Sequence, residues 1–513
     1  MNHVLRGLAV NEALPSELLD RLIAVADEDV AYCLAARTVL SREQAVALAA
    51  RFEESAVRLA YGGHLTAADI DPLTQPRAAL ALLDEGSGDP EWARSFARDP
   101  DADRRVKLAA CPVLPADVRE ALAADPDVPV VEELALWSTP DIATRLARHP
   151  HAEVRRAVAA NEATPPHVLA ALLTGEGLPP AERCLVCDAE ETPHPHGPYG
   201  PRPDRDLRPG ASCTGSHEST LQELAQQALR NPATPVAALL GFVDHPSWLL
   251  RHALATRPDL PPEAAARLTG DPVPGVRAEL AENPVLDDAL IRVLAADRGH
   301  DVRRRLAHNP RVPLDVLSDL AAAIKVGPSP LPRIAAASPS EVEELSASAH
   351  PVMRMFLAER RDLPAPIREA LADDPDAKVV KAIAGHPGLS DARLRSMVER
   401  HGDQVVAGVA ANTEAPPALL EDLARRVLPV GKALRAIARH PHATGTALLA
   451  CLADRRARRV AAGHPALRPE AIVELLADHD GDVVEAAAAN PSLPPSAMAA
   501  VMADVMAAPR VRA

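Results

Sequence analysis

Residues 300–322 read HDVRRRLAHNPRVPLDVLSDLAA, and their pattern returns as HAEVRRAVAANEATPPHVLAALL at 151–173 and GDVVEAAAANPSLPPSAMAAVMA at 481–503. The shared skeleton is V-x-x-x-L-A-x-N-P-x-x-P-x-x-x-L-x-x-L. Val302, Leu306 and Ala307 share one face at helical spacing, and Leu317, Leu320, Ala321 and Ile324 make a second stripe. Asn309-Pro310 stops the first helix, because proline disfavours the α conformation in the residue before it. Pro313 opens the next helix, where its missing N–H costs nothing.

The Asn of this pattern recurs at Asn161, Asn231, Asn283, Asn309, Asn412 and Asn490, and other residues such as Arg37, Arg257, Arg360, His386, His440 and His464 stand in for it. From Asn231 to Asn309 the spacing is 26 residues each time. Between Gly62 and Cys111, and between Asn309 and Arg360, it is about two periods, so each gap hides a degenerate unit. The chain therefore reads as about eighteen two-helix repeats. Asp-Pro and His-Pro steps start many of them (Asp271-Pro272, Asp374-Pro375, His149-Pro150), and Asp there is expected to cap the helix. So small a unit cannot bury its apolar face alone and must stack, which predicts an all-α solenoid.

The unit DP-x-x-x-VR-x-x-LA-x-NP-x-x-P-x-x-x-L-x-x-LA resembles the leucine-rich repeat variant family, a relative of HEAT-type arrays. The resemblance covers nearly the whole chain outside 175–217. It implies a right-handed superhelix in which α-helices alternate with shorter, partly 3₁₀ helices, and it implies no catalytic residues in the repeats. The repeats here are somewhat longer than that family's, so the first helix is expected to be fully α.

Composition agrees. Aromatic residues are 2% of the 513, against 47% hydrophobic, as suits thin layers of Ala, Leu and Val rather than a thick core. The net charge of −16 argues against a general nucleic-acid binder. No apolar run is long enough for a membrane span. The first residues do not read as a signal peptide, and six cysteines do not form a disulfide framework, so the protein is expected in the cytoplasm. Neither Walker, G-x-G-x-x-G, G-x-S-x-G nor H-E-x-x-H patterns occur, and no enzymatic activity is expected.

The recurring residues read first as structure. Asn at a helix end tolerates left-handed φ and satisfies loop backbone groups. Arg58, Arg155, Arg277 and Arg303 recur after the first-helix Val or its equivalent, with Arg251 and Arg354 in neighbouring registers. With Asp and Glu beside them they read as inter-repeat ion pairs. A phosphate-binding stripe, as in HEAT-like DNA glycosylases, is the alternative. The cluster DRRARRVAA, with Arg455, Arg456, Arg458 and Arg459, is a candidate patch for an acidic partner. Trp92, Trp137 and Trp248 fall in separate repeats and are expected to pack, as are Cys33, Cys111 and Cys451.

One stretch breaks the rhythm. Asn161 and Asn231 are 70 residues apart, and the excess over one period falls in a Pro-, Gly-, Cys- and His-rich passage at 175–217. Cys184-x₂-Cys187 and Cys213-x₃-His217 could supply three thiolates and an imidazole to a tetrahedral structural zinc, replacing a missing core with coordination. His194 and His196 could replace His217. An iron–sulfur cluster is the alternative: leucine-rich repeat variant proteins can carry a cysteine-rich cluster module, and CTGSH at 213–217 is similar to the end of the CDGSH motif, although the upstream Cys-x-Cys of that motif is absent. The expected organisation is an N-terminal array at 1–174, a metal-binding insertion at 175–217 and a C-terminal array at 218–513. The expected function is a non-enzymatic scaffold for a protein or peptide partner, with an iron–sulfur redox or sensor protein and a nucleic-acid-binding repair solenoid as alternatives.

Overall fold

A computed structural model describes residues 2–184, 218–326, 330–426 and 430–507, apart from the side chains of 218–220, 506 and 507. The described residues are all-helical and form eighteen helix pairs, and both wide gaps in the Asn spacing hold one: Pro76–Asp84 with Pro90–Phe96, and Pro332–Ala335 with Pro339–Ser346. The chain divides into two compact units, residues 1–78, 328–330 and 334–513 in one, and 79–327 and 331–333 in the other.

Within a pair, the first helix buries the small residues of the repeat. Val302, Leu306 and Ala307 are fully buried, and the second helix buries Val316, Leu317 and Leu320. The second helices are mostly α, as in Pro262–Thr269, and among the described residues the 3₁₀ helices are Ala67–Asp69 and Leu240–Phe242. The alternation of α and 3₁₀ helices implied by the family resemblance is therefore not followed among the described residues. Proline sits at the N-cap of many second helices, as at Pro313, with φ −60° and ψ 146°.

The Asn position does not use the left-handed conformation expected of it. Asn161 has φ −71° and ψ 118°, and no residue other than glycine has positive φ among the described residues. Asn is selected here for reach. The Asn309 Nδ2 donates to the carbonyls of Ala281 (2.8 Å) and Asn283 (2.9 Å) in the preceding repeat, while its Oδ1 accepts from Arg311 N (2.8 Å). One side chain thus satisfies two orphan carbonyls at the end of the neighbouring helix and one loop N–H. Arg257 and Arg37 reach the same carbonyls with a guanidinium. His440 does so with Nε2, 2.6 Å from Asn412 O, and its Nδ1 accepts from His442 N. The residue types differ, but each of these presents a donor towards the previous repeat; His386 is an exception, with its buried Nε2 unpartnered among the described residues.

The ladder has two further properties. Asn231 donates to the carbonyls of Ala159 and Asn161 (2.9 Å each), so repeats on either side of 175–217 stack as direct neighbours. Asn11 donates in the same way to Ala488 and Asn490 (2.8 Å each). Within its unit, the first repeat of the chain is therefore seated on the last one. Helix Asn2–Val10 packs on Gly481–Ala488, with His3 and Arg6 beside Glu485.

Candidate functional site

A second ladder absorbs the recurring arginines. Arg277 donates Nε and Nη2 to Asp297 (2.6 and 3.1 Å) and Nη1 to the carbonyl of Asp271 (2.6 Å). Arg354 repeats this with Asp374 and Ser348 O, Arg251 with Asp271 and His245 O, and Arg105 with Asp125 and Asp99 O. Arg251 and Arg354 thus share the register of Arg277 and are not shifted from it. The carboxylates hold the guanidinium pKa values above normal at Arg251, Arg277 and Arg354. Asp297 is held below the usual carboxylate range by its hydrogen bond to Arg277.

These aspartates do not cap the following helix as expected. Asp271 and Asp374 accept from the N–H two residues on, Val273 and Asp376, and so close the turn while binding arginine. His149 and His245 close the same turn through Nδ1. Arg303 has Ala323 in place of the aspartate, and its buried Nε has no partner among the described residues.

Beside the start of 175–217, helix Pro166–Thr174 ends at Gly175 in the left-handed conformation that glycine permits (φ 73°). The chain then returns to the preceding turn. Glu182 N donates to Pro150 O (2.7 Å) and Ala152 N to Arg183 O (2.9 Å), a short parallel bridge between His151 and Arg183. Arg155, the ladder arginine of this repeat, has no aspartate here and donates to the carbonyls of His149 (2.6 Å) and Pro179 (2.7 Å).

Cys184 follows directly and is fully buried against Ala152 and Ala181. Of the four sequence-predicted ligands, Cys184 is the one that lies among the described residues. Cys187, Cys213 and His217 lie outside the described residues, as do His194 and His196. Among the described residues, no three His, Cys, Asp or Glu side chains are grouped closely enough to hold a metal. Sequence reasoning missed the buried His151, whose backbone neighbours Arg183 across the bridge. Only the return of the chain brings it there.

Cys111 and Cys451 are buried, and burial pushes both thiols up to about 12, so they pack as expected. Trp137 does not: it is 66% exposed and its Nε1 donates to Glu133 (2.9 Å). The recurring Asn of the next repeat, Asn161, binds the carbonyls of Ala135 and Ser138 instead and needs nothing from the indole. Among the described residues no helix is long and apolar enough to cross a membrane.

No family model and no curated protein matches the chain. Among solved structures, the chain is similar to a leucine-rich repeat variant with a novel repetitive structural motif, at 21% identity over 47% of this chain and 85% of that one, with a TM-score of 0.27. It is also similar to an engineered protein (13% identity, 95% and 98% covered, TM-score 0.16) and to a chain of the Pds5-Scc1 complex (12% identity, 94% and 84% covered, TM-score 0.23). The architecture is a helical repeat array whose repeating polar residues are committed to holding neighbours together.

Proposed function

We propose that the chain is a non-enzymatic protein-interaction scaffold. The supporting observation is how the polar residues divide. Those that recur, such as Asn309, Arg277 and Asp297, bond to neighbouring repeats. The exposed first-helix residues between them change from repeat to repeat: Asp301 and Arg304, then Lys432 and Arg439, then Gln404. A constant frame with a variable face is what partner recognition by stacked repeats requires. Affinity capture with the full chain, followed by reconstitution with the purified partner, is expected to give a stoichiometric complex. Failure of any captured protein to rebind in purified form would remove this reading.

We further propose that Cys184, Cys187, Cys213 and His217 hold one structural zinc. Cys184 supports this: its thiol is buried beside a segment held to Pro150 and Ala152 by backbone bonds, so one candidate thiolate is already fixed in place. Metal analysis of the purified chain is expected to find about one zinc, lost in Cys184→Ser. Iron with absorbance near ~400 nm would favour the cluster instead.

A further inference from the structure

The first helices between Ala377 and Ala462 carry an unbalanced charge. Lys432, Arg435 and Arg439 are spaced i, i+3, i+7 on helix Gly431–Ala438 and its end, hence on one face. They line a cleft of about 430 Å³ with Ala411, Thr413, Ala436, His440 and Pro441, and no carboxylate lines it. The small side chains of Ala411 and Ala436 leave the space between the cations. Two repeats earlier, Lys378 and Lys381 occupy the places of Lys432 and Arg435. One repeat later, Arg456 takes the place of Lys432.

Side chains at these places come within reach of one another from repeat to repeat. Arg156 meets Glu132, and Arg6 lies 3.5 Å from Glu485, each residue five before its Asn position. In those joints an acid answers the base. Along the face from Lys378 to Arg456 none does: Gln404 and Ala407 fill the same places in the intervening repeat, and none of the six cations makes an ion pair among the described residues. The acids at the face are spent on helix caps: Asp376 accepts from Lys378 N (2.8 Å) and Asp454 from Arg456 N (3.0 Å), and Asp482 lies 3.6 Å from Arg459 at the far edge.

From this we propose that the first-helix face spanning Lys378, Lys381, Lys432, Arg435, Arg439 and Arg456 binds an acidic, Glu- or Asp-rich segment of a protein partner, with the Lys432–Arg435–Arg439 cleft as its anchor. The proposal rests on the scaffold reading and names the chemistry of its partner. A nucleic acid is the weaker fit. No Phe, Tyr or Trp occurs after Phe356, so beyond the ring of His440 the face offers none of the large aromatic platforms on which bases stack. Guanidinium groups at a concave cleft suit bidentate pairing with carboxylates.

The test uses the full chain and a fluorescein-labelled Glu-Ser repeat peptide, read by fluorescence anisotropy. Binding is expected at low salt, weakening several-fold at physiological salt. The Lys432→Ala, Arg435→Ala, Arg439→Ala variant should lose about tenfold or more in affinity, while Arg425→Ala, whose guanidinium pairs with Glu421 on a second helix, should change little. Unchanged helicity by circular dichroism shows that the variant is folded. No peptide binding at low salt, equal binding by the triple variant, or tighter binding of oligothymidylate than of peptide would each overturn the proposal. A reconstituted protein complex indifferent to the triple variant would overturn it while leaving the scaffold reading intact.

Discussion

The side-chain nitrogen of Asn11 lies 2.8 Å from the main-chain oxygen of Asn490, 479 residues away in sequence. This is the bond that Asn309 makes to Asn283 across one repeat. The terminal joint is therefore built like an internal one, and no chain link holds it. Gly7 permits the close approach: a Cβ there would overlap the carbonyl of Glu485 and lie 2.6 Å from Ala488 Cβ. Gly7→Leu is expected to destabilise this joint by about 1–3 kcal/mol through overpacking. Hydrogen exchange should quicken in residues 2–25 and 481–505 and stay unchanged in 248–323. Uniform quickening would contradict a local joint.

Asn309→Ala should cost more than its size suggests. It strands the carbonyls of Ala281 and Asn283 and the N–H of Arg311 in a buried joint. At about 1–3 kcal/mol for each unmade buried group, a loss of at least about 3 kcal/mol is expected in chemical denaturation. Asn309→His should recover part of it, because His440 and His464 make the equivalent contacts. If histidine is no better than alanine, the donor-reach account fails.

Arg251 and Asp271 are nearly enclosed, with side chains 10% and 3% exposed. Removing one partner of such a pair leaves a buried charge, so Asp271→Ala should destabilise by about 3–5 kcal/mol. Adding Arg251→Leu should restore part of that loss. Leu434 and Val484 occupy the arginine's place in other repeats and are buried there. A double variant as unstable as the single one would show that the arginine is required for more than its charge.

Burial holds His440 below the ordinary histidine pKa, and His149 and His252 are lowered for the same first cause. Each favours the neutral ring when folded, so the unfolded chain takes up more protons below its own pKa of about 6.5. The stability they contribute is thus complete above about pH 6.5 and falls as pH drops towards the folded values. In His440 the added proton would go to Nδ1, which accepts from His442 N (3.0 Å). His440→Asn keeps a donor towards Asn412 O and should reduce the fall in denaturation midpoint between about pH 7.5 and pH 5.5. An identical slope in variant and wild type would place the pH dependence elsewhere.

Much of this was readable from spacing. Val302 and Leu306, or Leu317 and Leu320, are placed by helical period alone, and the period of 26 residues located the joints and the interruption at 175–217. Period says nothing of what a side chain reaches across a joint. Asn309 looked like a turn former, and Asp271 like a helix cap. Their partners lie 26 and 20 residues away, beyond the range of any local rule. The candidate metal residues were found by type and spacing, and the structure added only that Cys184 sits buried at a pinned root.

The sequence by itself determined that this chain is a stack of helix pairs, because each pair carries an apolar stripe it cannot bury alone. Spacing already made Asn161 and Asn231 successive positions, and the bond between them bears that out; tertiary structure alone seated Asn11 on Asn490 across the whole chain. A repeat face accepts any neighbour with matching shape and carbonyls. Which face fills it is settled in three dimensions and leaves no mark in the local pattern.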